Sequence, residues 1–431
     1  MRRWQVDTAV KMAVLGGMAI AGCQHPPTEP IGGLPQPSAS PTPATTASPT
    51  PAPSPTATPS ASPSAPAGYR ISTVAGNGIK GDSDPGRPAT QTTLFSPTGV
   101  AVAADGSFYL ADYKANKLRR VDANGILTNI AGNTTYPAEG GDEGPAINAS
   151  LAKPYGVLID PHGNVLFSEY GYSVPGSTIL GKVRWIDPAG VIHRLAGGGQ
   201  LNVTNGVAAK DAKLLGPEGL VYDQAGNLYV AEYDGHRVDK IDPNGMLTIV
   251  AGTGTAGNDG DGGAATAAHL NAPNWLTLDP QGNLVIVDSG NHNVRRVTPS
   301  GVISTIVGTG QPTNDPAVTG YLPSQPTRPL GDGGPATAAT LNTPTTAIYD
   351  RAGTLLVTDS MNYAVRRVTP DGIIRTVAGT WQTPDASTSA IPNGTPALQV
   401  PISAPDGMAI APSGNVYFSE YAGYRVRMLT Y

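Results

Sequence analysis

Six carboxylates recur at the ends of short apolar runs: Asp112, Glu169, Glu232, Asp288, Asp359 and Glu420. Each could act as a general acid or base. Catalysis needs such a group once, whereas a group present in every repeat serves the architecture. Seven residues after five of them stand Arg119, Asp239, Arg295, Arg366 and Arg427; after Glu169 an insertion leaves Arg184 for the role. The spacing predicts internal acid–arginine pairs: Asp112 with Arg119, Glu169 with Arg184, Asp288 with Arg295, Asp359 with Arg366, and Glu420 with Arg427. The third repeat, with Asp239 in place of arginine, is expected to use Arg237 or Lys240.

Histidine is scarce. His236 and His292 hold equivalent places in two repeats, and His269 lies in the loop between them. Converging, they would begin a zinc or copper site; as repeat residues they would be structural. The Asp-Gly-Gly segments lack the alternating acids and closing Glu of an EF-hand, so they read as turns rather than calcium loops. No Ser, His and Asp set has motif support. Stretches such as Gly99-Val100-Ala101-Val102 are expected to turn mainly apolar side chains inward. The expectation is therefore no catalytic residue and no cofactor, with calcium or zinc as the alternative.

Cys23 is the one cysteine of 431 residues, so no internal disulfide can form. Arg2, Arg3 and Lys11 precede the apolar run Met12–Gly22, which is too short to span a bilayer and reads as a signal peptide. Ile20-Ala21-Gly22-Cys23 resembles the bacterial lipobox, which implies cleavage before Cys23 and its acylation. Gln24 follows it, and the resemblance to lipoproteins with no Asp at that place implies an outer membrane, if the cell has one. Residues 23–68 are then a lipidated cysteine and a Pro/Ser/Thr/Ala-rich linker with 14 prolines, able to bury nothing and expected to be disordered. A net charge of −5 without long runs recommends neither nucleic acid nor an anionic membrane as partner.

From residue 69 to the end the chain repeats six times, and 54 glycines and 42 prolines punctuate it. Each unit holds runs of four to six residues rich in Val, Ile, Leu and Tyr, bounded by turns such as Asp160-Pro161-His162-Gly163-Asn164. Four short strands per period of roughly 55 to 70 residues mark an all-β, six-bladed β-propeller with four-stranded blades. The last unit lacks a fourth strand, and Ile71-Ser72-Thr73-Val74-Ala75-Gly76 is expected to supply it. Every long insertion (Tyr170–Gly181, Gly308–Leu330 and Thr380–Ala397) leaves by the face of the strand two-to-three and interblade loops. Function concentrates on such loops. On that face the residue after the acid is Tyr113, Tyr170, Tyr233 or Tyr421 in four neighbouring blades, with Tyr172 and Tyr424 nearby. Tyrosine offers rigid apolar area and a polar tip, suited to protein or sugar. The structural alternative is packing against the adjacent blade.

Val287-Asp288-Ser289-Gly290-Asn291-His292-Asn293-Val294-Arg295-Arg296-Val297 closely resembles the core of the NHL repeat, as does Thr358–Val368. Gly260-Asp261-Gly262-Gly263 and Gly331-Asp332-Gly333-Gly334 open a second family-like signature. The full Asn-His pair stands only at Asn291-His292. The resemblance covers residues 71–431 and implies a propeller whose relatives range from protein- or RNA-binding modules to lyases. The expectation is a monomeric, lipid-anchored binding module of the bacterial envelope, facing an unknown protein or carbohydrate. The alternative is a metal-dependent lactone hydrolase or lyase.

Overall fold

A computed structural model describes residues 68–83, 85–133, 140–174, 177–311, 331–382 and 391–431. The expected signal peptide, Cys23 and the expected linker to residue 67 lie outside the described residues, as do 312–330 and 383–390 of two long insertions.

The described residues between 68 and 431 form six antiparallel sheets around an axis, and a small hairpin, Tyr172–Val174 with Ser177–Ile179, rises from the second blade. The strands form where β-branched and aromatic residues run for five or six positions. Asp side chains build the turns that end them. Asp160 Oδ1 accepts the amides of His162 and Asn164 at 2.8 and 2.9 Å, and Gly163 takes φ +82°. The first strands (Pro97–Val102, Pro154–Ile159, Pro217–Tyr222, Pro273–Leu278, Pro344–Tyr349 and Pro405–Ile410) surround the axis, each touching the next. The approach is close. A Cβ on Gly156 would lie 2.2 Å from the carbonyl oxygen of Glu218 in the next blade.

Hydroxyls stitch these strands together. Ser168 Oγ accepts Gly156 N at 2.9 Å and donates to Glu218 O at 2.6 Å. Ser419 repeats this with Gly407 N and Thr98 O, and Thr358 with Thr346 N and Asp406 O. Apolar layers between blades complete the core. Between blades five and six, Leu356, Val365, Ile402, Met408 and Phe418 are buried with Ile71 of the N-terminal strand.

The ring closes as the sequence implied. Arg70–Ala75 pairs antiparallel with Arg425–Thr430 (Ile71 opposite Leu429) and supplies the sixth blade's fourth strand. Four blades gain a fifth, two-residue strand that a four-stranded expectation missed: Arg87–Pro88, Gly144–Pro145, Val207–Ala208 and Thr395–Pro396. In blades four and five single bridges, Ala264 to Val302 and Pro335 to Ile373, do the same. Each interblade connection thus straps its own blade's outer edge before entering at the axis. The strap covers backbone groups that an edge strand would leave open.

Candidate functional site

The repeated acids lie on the mouth side of the blades, buried with the arginines. Arg119 stands 2.8 Å from Asp112, Arg366 3.1 Å from Asp359, Arg427 3.1 Å from Glu420, Arg184 3.5 Å from Glu169, and Arg295 3.7 Å from Asp288. Each acid also accepts a backbone amide where the chain enters its blade, as Asp359 does from Asn342 at 2.7 Å. Burial raises these carboxyl pKa values against the pull of the arginines, and Asp288, with the longest separation, reaches about 7. A third member was not foreseen. The strap aspartates Asp142, Asp261 and Asp332 each meet the same arginine at 2.6 Å, and Asp82 does so in blade one. The Asp-Gly-Gly segments are therefore the straps' ion-pair anchors.

Blade three differs throughout. Arg237, rather than Lys240, reaches Glu232 at 2.7 Å and Asp239 at 3.4 Å. Burial, then the neighbouring Glu232, pushes Asp239 well above the carboxylate range. The strap there carries Asn205, which accepts Ile249 N at 2.9 Å.

The three histidines do not converge. His236 Nδ1 accepts Ala272 N at 3.1 Å and His292 Nδ1 accepts Thr343 N at 3.0 Å, each holding the next blade's left-handed entry corner. Asn116 does the same for Lys153 N at 2.9 Å. Burial lowers both histidine pKa values, favouring the neutral acceptor. His269 instead sits 2.8 Å from Asp259 at the surface. Among the described residues no three His, Cys, Asp or Glu side chains group as metal ligands.

The expectation of an apolar axis is corrected. The second residue of each first strand is Thr98, Tyr155, Glu218, Asn274, Thr345 or Asp406, and all six are buried. Tyr155 from blade two crosses the axis. Its hydroxyl donates to Asp406 Oδ1 of blade six at 3.0 Å and accepts Asn274 Nδ2 of blade four at 3.1 Å. Burial, then Asp406 and Glu218, push its pKa far up, so the phenol stays protonated. A polar plug closes the channel. No sequence motif announces it, because the six residues share no chemistry, only the position after proline.

Above the plug lies the tyrosine arc. Tyr113 packs edge-on to Tyr155 at 5.8 Å and against Tyr421 at 6.2 Å, while Tyr170 meets Tyr233 at 6.3 Å and donates to Asp234 at 2.7 Å. Lys153 joins the two halves, with its ammonium 5.7, 5.5 and 5.1 Å from the rings of Tyr113, Tyr170 and Tyr172. Lys114 lies 5.7 Å from the Tyr421 ring. In blades four and five the position is a buried Ser289 or Ser360, so the arc spans one side of the mouth. Tyr113 is buried and serves packing; Tyr170, Tyr172, Tyr233 and Tyr421 keep partial exposure. Tyr424 occupies the left-handed corner that His236 and His292 hold elsewhere.

No family model matches the chain. Human teneurin-1 is 25% identical over 386 residues, 84% of this chain but 13% of teneurin-1, and Drosophila melanogaster teneurin-m is 26% identical over 377 residues, 79% of this chain and 12% of that protein. The chain therefore corresponds to a small part of these relatives. An auxiliary nutrient binding protein from Bacteroides ovatus superposes with a TM-score of 0.57 at 17% identity, covering 84% of this chain and 76% of the other. A protein of unknown function from Bacteroides thetaiotaomicron superposes at 0.59 with 16% identity and the same coverage. What this chain shares with these solved structures is the six-bladed propeller fold.

Proposed function

We propose that this protein is a monomeric, extracytoplasmic binding module of the NHL-repeat type, held to the bacterial envelope through acylated Cys23 and its proline-rich segment. Its ligand, a protein or a carbohydrate, engages the long-loop mouth. The observation carrying this reading is the continuous tyrosine–lysine arc laid over a closed axis. Half-buried aromatic rings give contact area at little entropic loss, and Lys153 and Asp234 add polar points of attachment. The Bacteroides ovatus neighbour's description as a nutrient binding protein suits such a role.

Binding to a glycan array and to envelope proteins, compared between the protein and a Tyr172→Ala/Lys153→Ala variant, tests the mouth. The expected result is a ligand retained by the first and released by the second with an unchanged melting temperature. Equal retention moves the site elsewhere. Anchoring is checked by labelling cells with radioactive palmitate, which Cys23→Ser should leave unincorporated.

A second reading, a metal-dependent lactone hydrolase or lyase, has one observation in its favour. Glu218 and Asp406 bring two buried carboxylates to the axis, beside an Asn274 Oδ1 with no hydrogen-bond donor. Hard cations take such oxygens. The fit is poor, because the Tyr155 hydroxyl already stands between Asp406 and Asn274. Stoichiometric calcium or zinc in the purified protein would reverse the preference.

A further inference from the structure

On the face opposite the mouth, a groove of about 540 Å³ opens between blades four and five. Ile306, Leu355 and Pro370 give it apolar walls; Arg296, Arg351 and Tyr349 line it with donors. In blade one the counterpart of Arg296 is Arg120, which pairs with Asp105 on the turn below at 3.3 Å. Blade four has Gln281 where Asp105 stands, so the partner is lost while the arginine remains. Arg296, like Arg120, buries its Nε without an acceptor. Asp279, the carboxylate that does line the groove, is committed to its own turn: it accepts Gln281 N at 3.0 Å, Asn283 N at 2.8 Å and Asn283 Nδ2 at 2.7 Å. Burial, then Asp279, lift the Tyr349 hydroxyl to about 12, which keeps it a donor at neutral pH.

We infer that this groove is a second binding site, for an organic anion with an apolar body, such as an aryl carboxylate or sulfonate. Two guanidiniums and a phenol donate to the anion, and the walls take the ring. The volume falls in the range of small-molecule sites. Charged hydrogen bonds from planar guanidinium suit a carboxylate or sulfonate geometrically. The site is independent of the mouth and of whatever binds there.

The test uses 8-anilinonaphthalene-1-sulfonate as probe, titrated by fluorescence, with biphenyl-4-carboxylate as competitor. One saturable site per chain is expected, weakened by sodium chloride. Arg296→Gln/Arg351→Gln should lower affinity by at least about tenfold. The same variant should keep its melting temperature, since it breaks no ion pair. Tyr172→Ala/Lys153→Ala should bind the probe as before. The inference falls if no saturable site exists or if the double arginine variant binds equally well. It also falls if neutral biphenyl-4-carboxamide competes as well as the carboxylate.

Discussion

Arg366 is buried between Asp359 at 3.1 Å and Asp332 at 2.6 Å, with Trp381 stacked over its guanidinium at 5.1 Å. Arg366→Met would strand the buried Asp359 carboxylate and should lower stability by about 3–5 kcal/mol in urea denaturation. Adding Asp359→Asn should recover much of that loss; no recovery would mean that packing, not charge, is what the arginine provides. His292 is a milder case. His292→Ala leaves the Thr343 amide without its acceptor and should cost about 1–3 kcal/mol. His292→Asn should be tolerated, since Asn116 fills the same left-handed corner in blade one. The folded His292 has a lowered pKa, so its contribution is complete above about pH 6.5 and is lost as pH falls below it. Thermal melts between pH 7 and pH 5 should show the wild type losing ground to His292→Asn. The acid–arginine pairs were legible because repetition exposes a structural role. The strap aspartates were not: Asp332 and Arg366 lie 34 positions apart on segments whose facing only the folded register decides.

Strands of five or six residues announce themselves through Val, Ile and Tyr between glycine turns, and the fourth strand missing from the last repeat points to the closure. Two-residue straps carry no periodicity and could not be read that way. Closure makes a direct prediction about elements. Deleting residues 69–77 removes Ile71 from the sixth core layer and uncovers Arg425–Thr430. The truncated chain should melt well below the intact one, or fail to fold. An unchanged melting temperature would show that the remaining ladders suffice without the closing strand. Ile71→Asp, which leaves the backbone in place, should destabilise by roughly 2–5 kcal/mol, and separates burial from strand pairing.

At the scale of the molecule, six similar blades carry two dissimilar faces. The mouth was legible in part: loop lengths chose the face and tyrosines chose the side, while the axial plug and Lys153 became visible only when the blades were set around the axis. The opposite face holds the tight turns and both ends of the ring, where Tyr69 and Tyr431 meet with ring centroids 5.3 Å apart. Joining these ends by a short linker and reopening the chain at the Asn244-Gly245 turn should give a permuted ring. Its melting temperature is expected within a few degrees of the original, as calorimetry would show.

The pairing of Arg70–Ala75 with Arg425–Thr430 also decides how the ring bears force. The start of one strand and the finish of the other stand at the same edge, Arg70 opposite Thr430. Tension between the two chain ends would peel this ladder one bond at a time. Tension between the N-terminal end and a ligand gripped at the mouth runs along the strand instead, loading the same bonds together in shear. The ring is thus mechanically weak to a pull on its two ends and strong along the axis that joins its entry strand to its mouth.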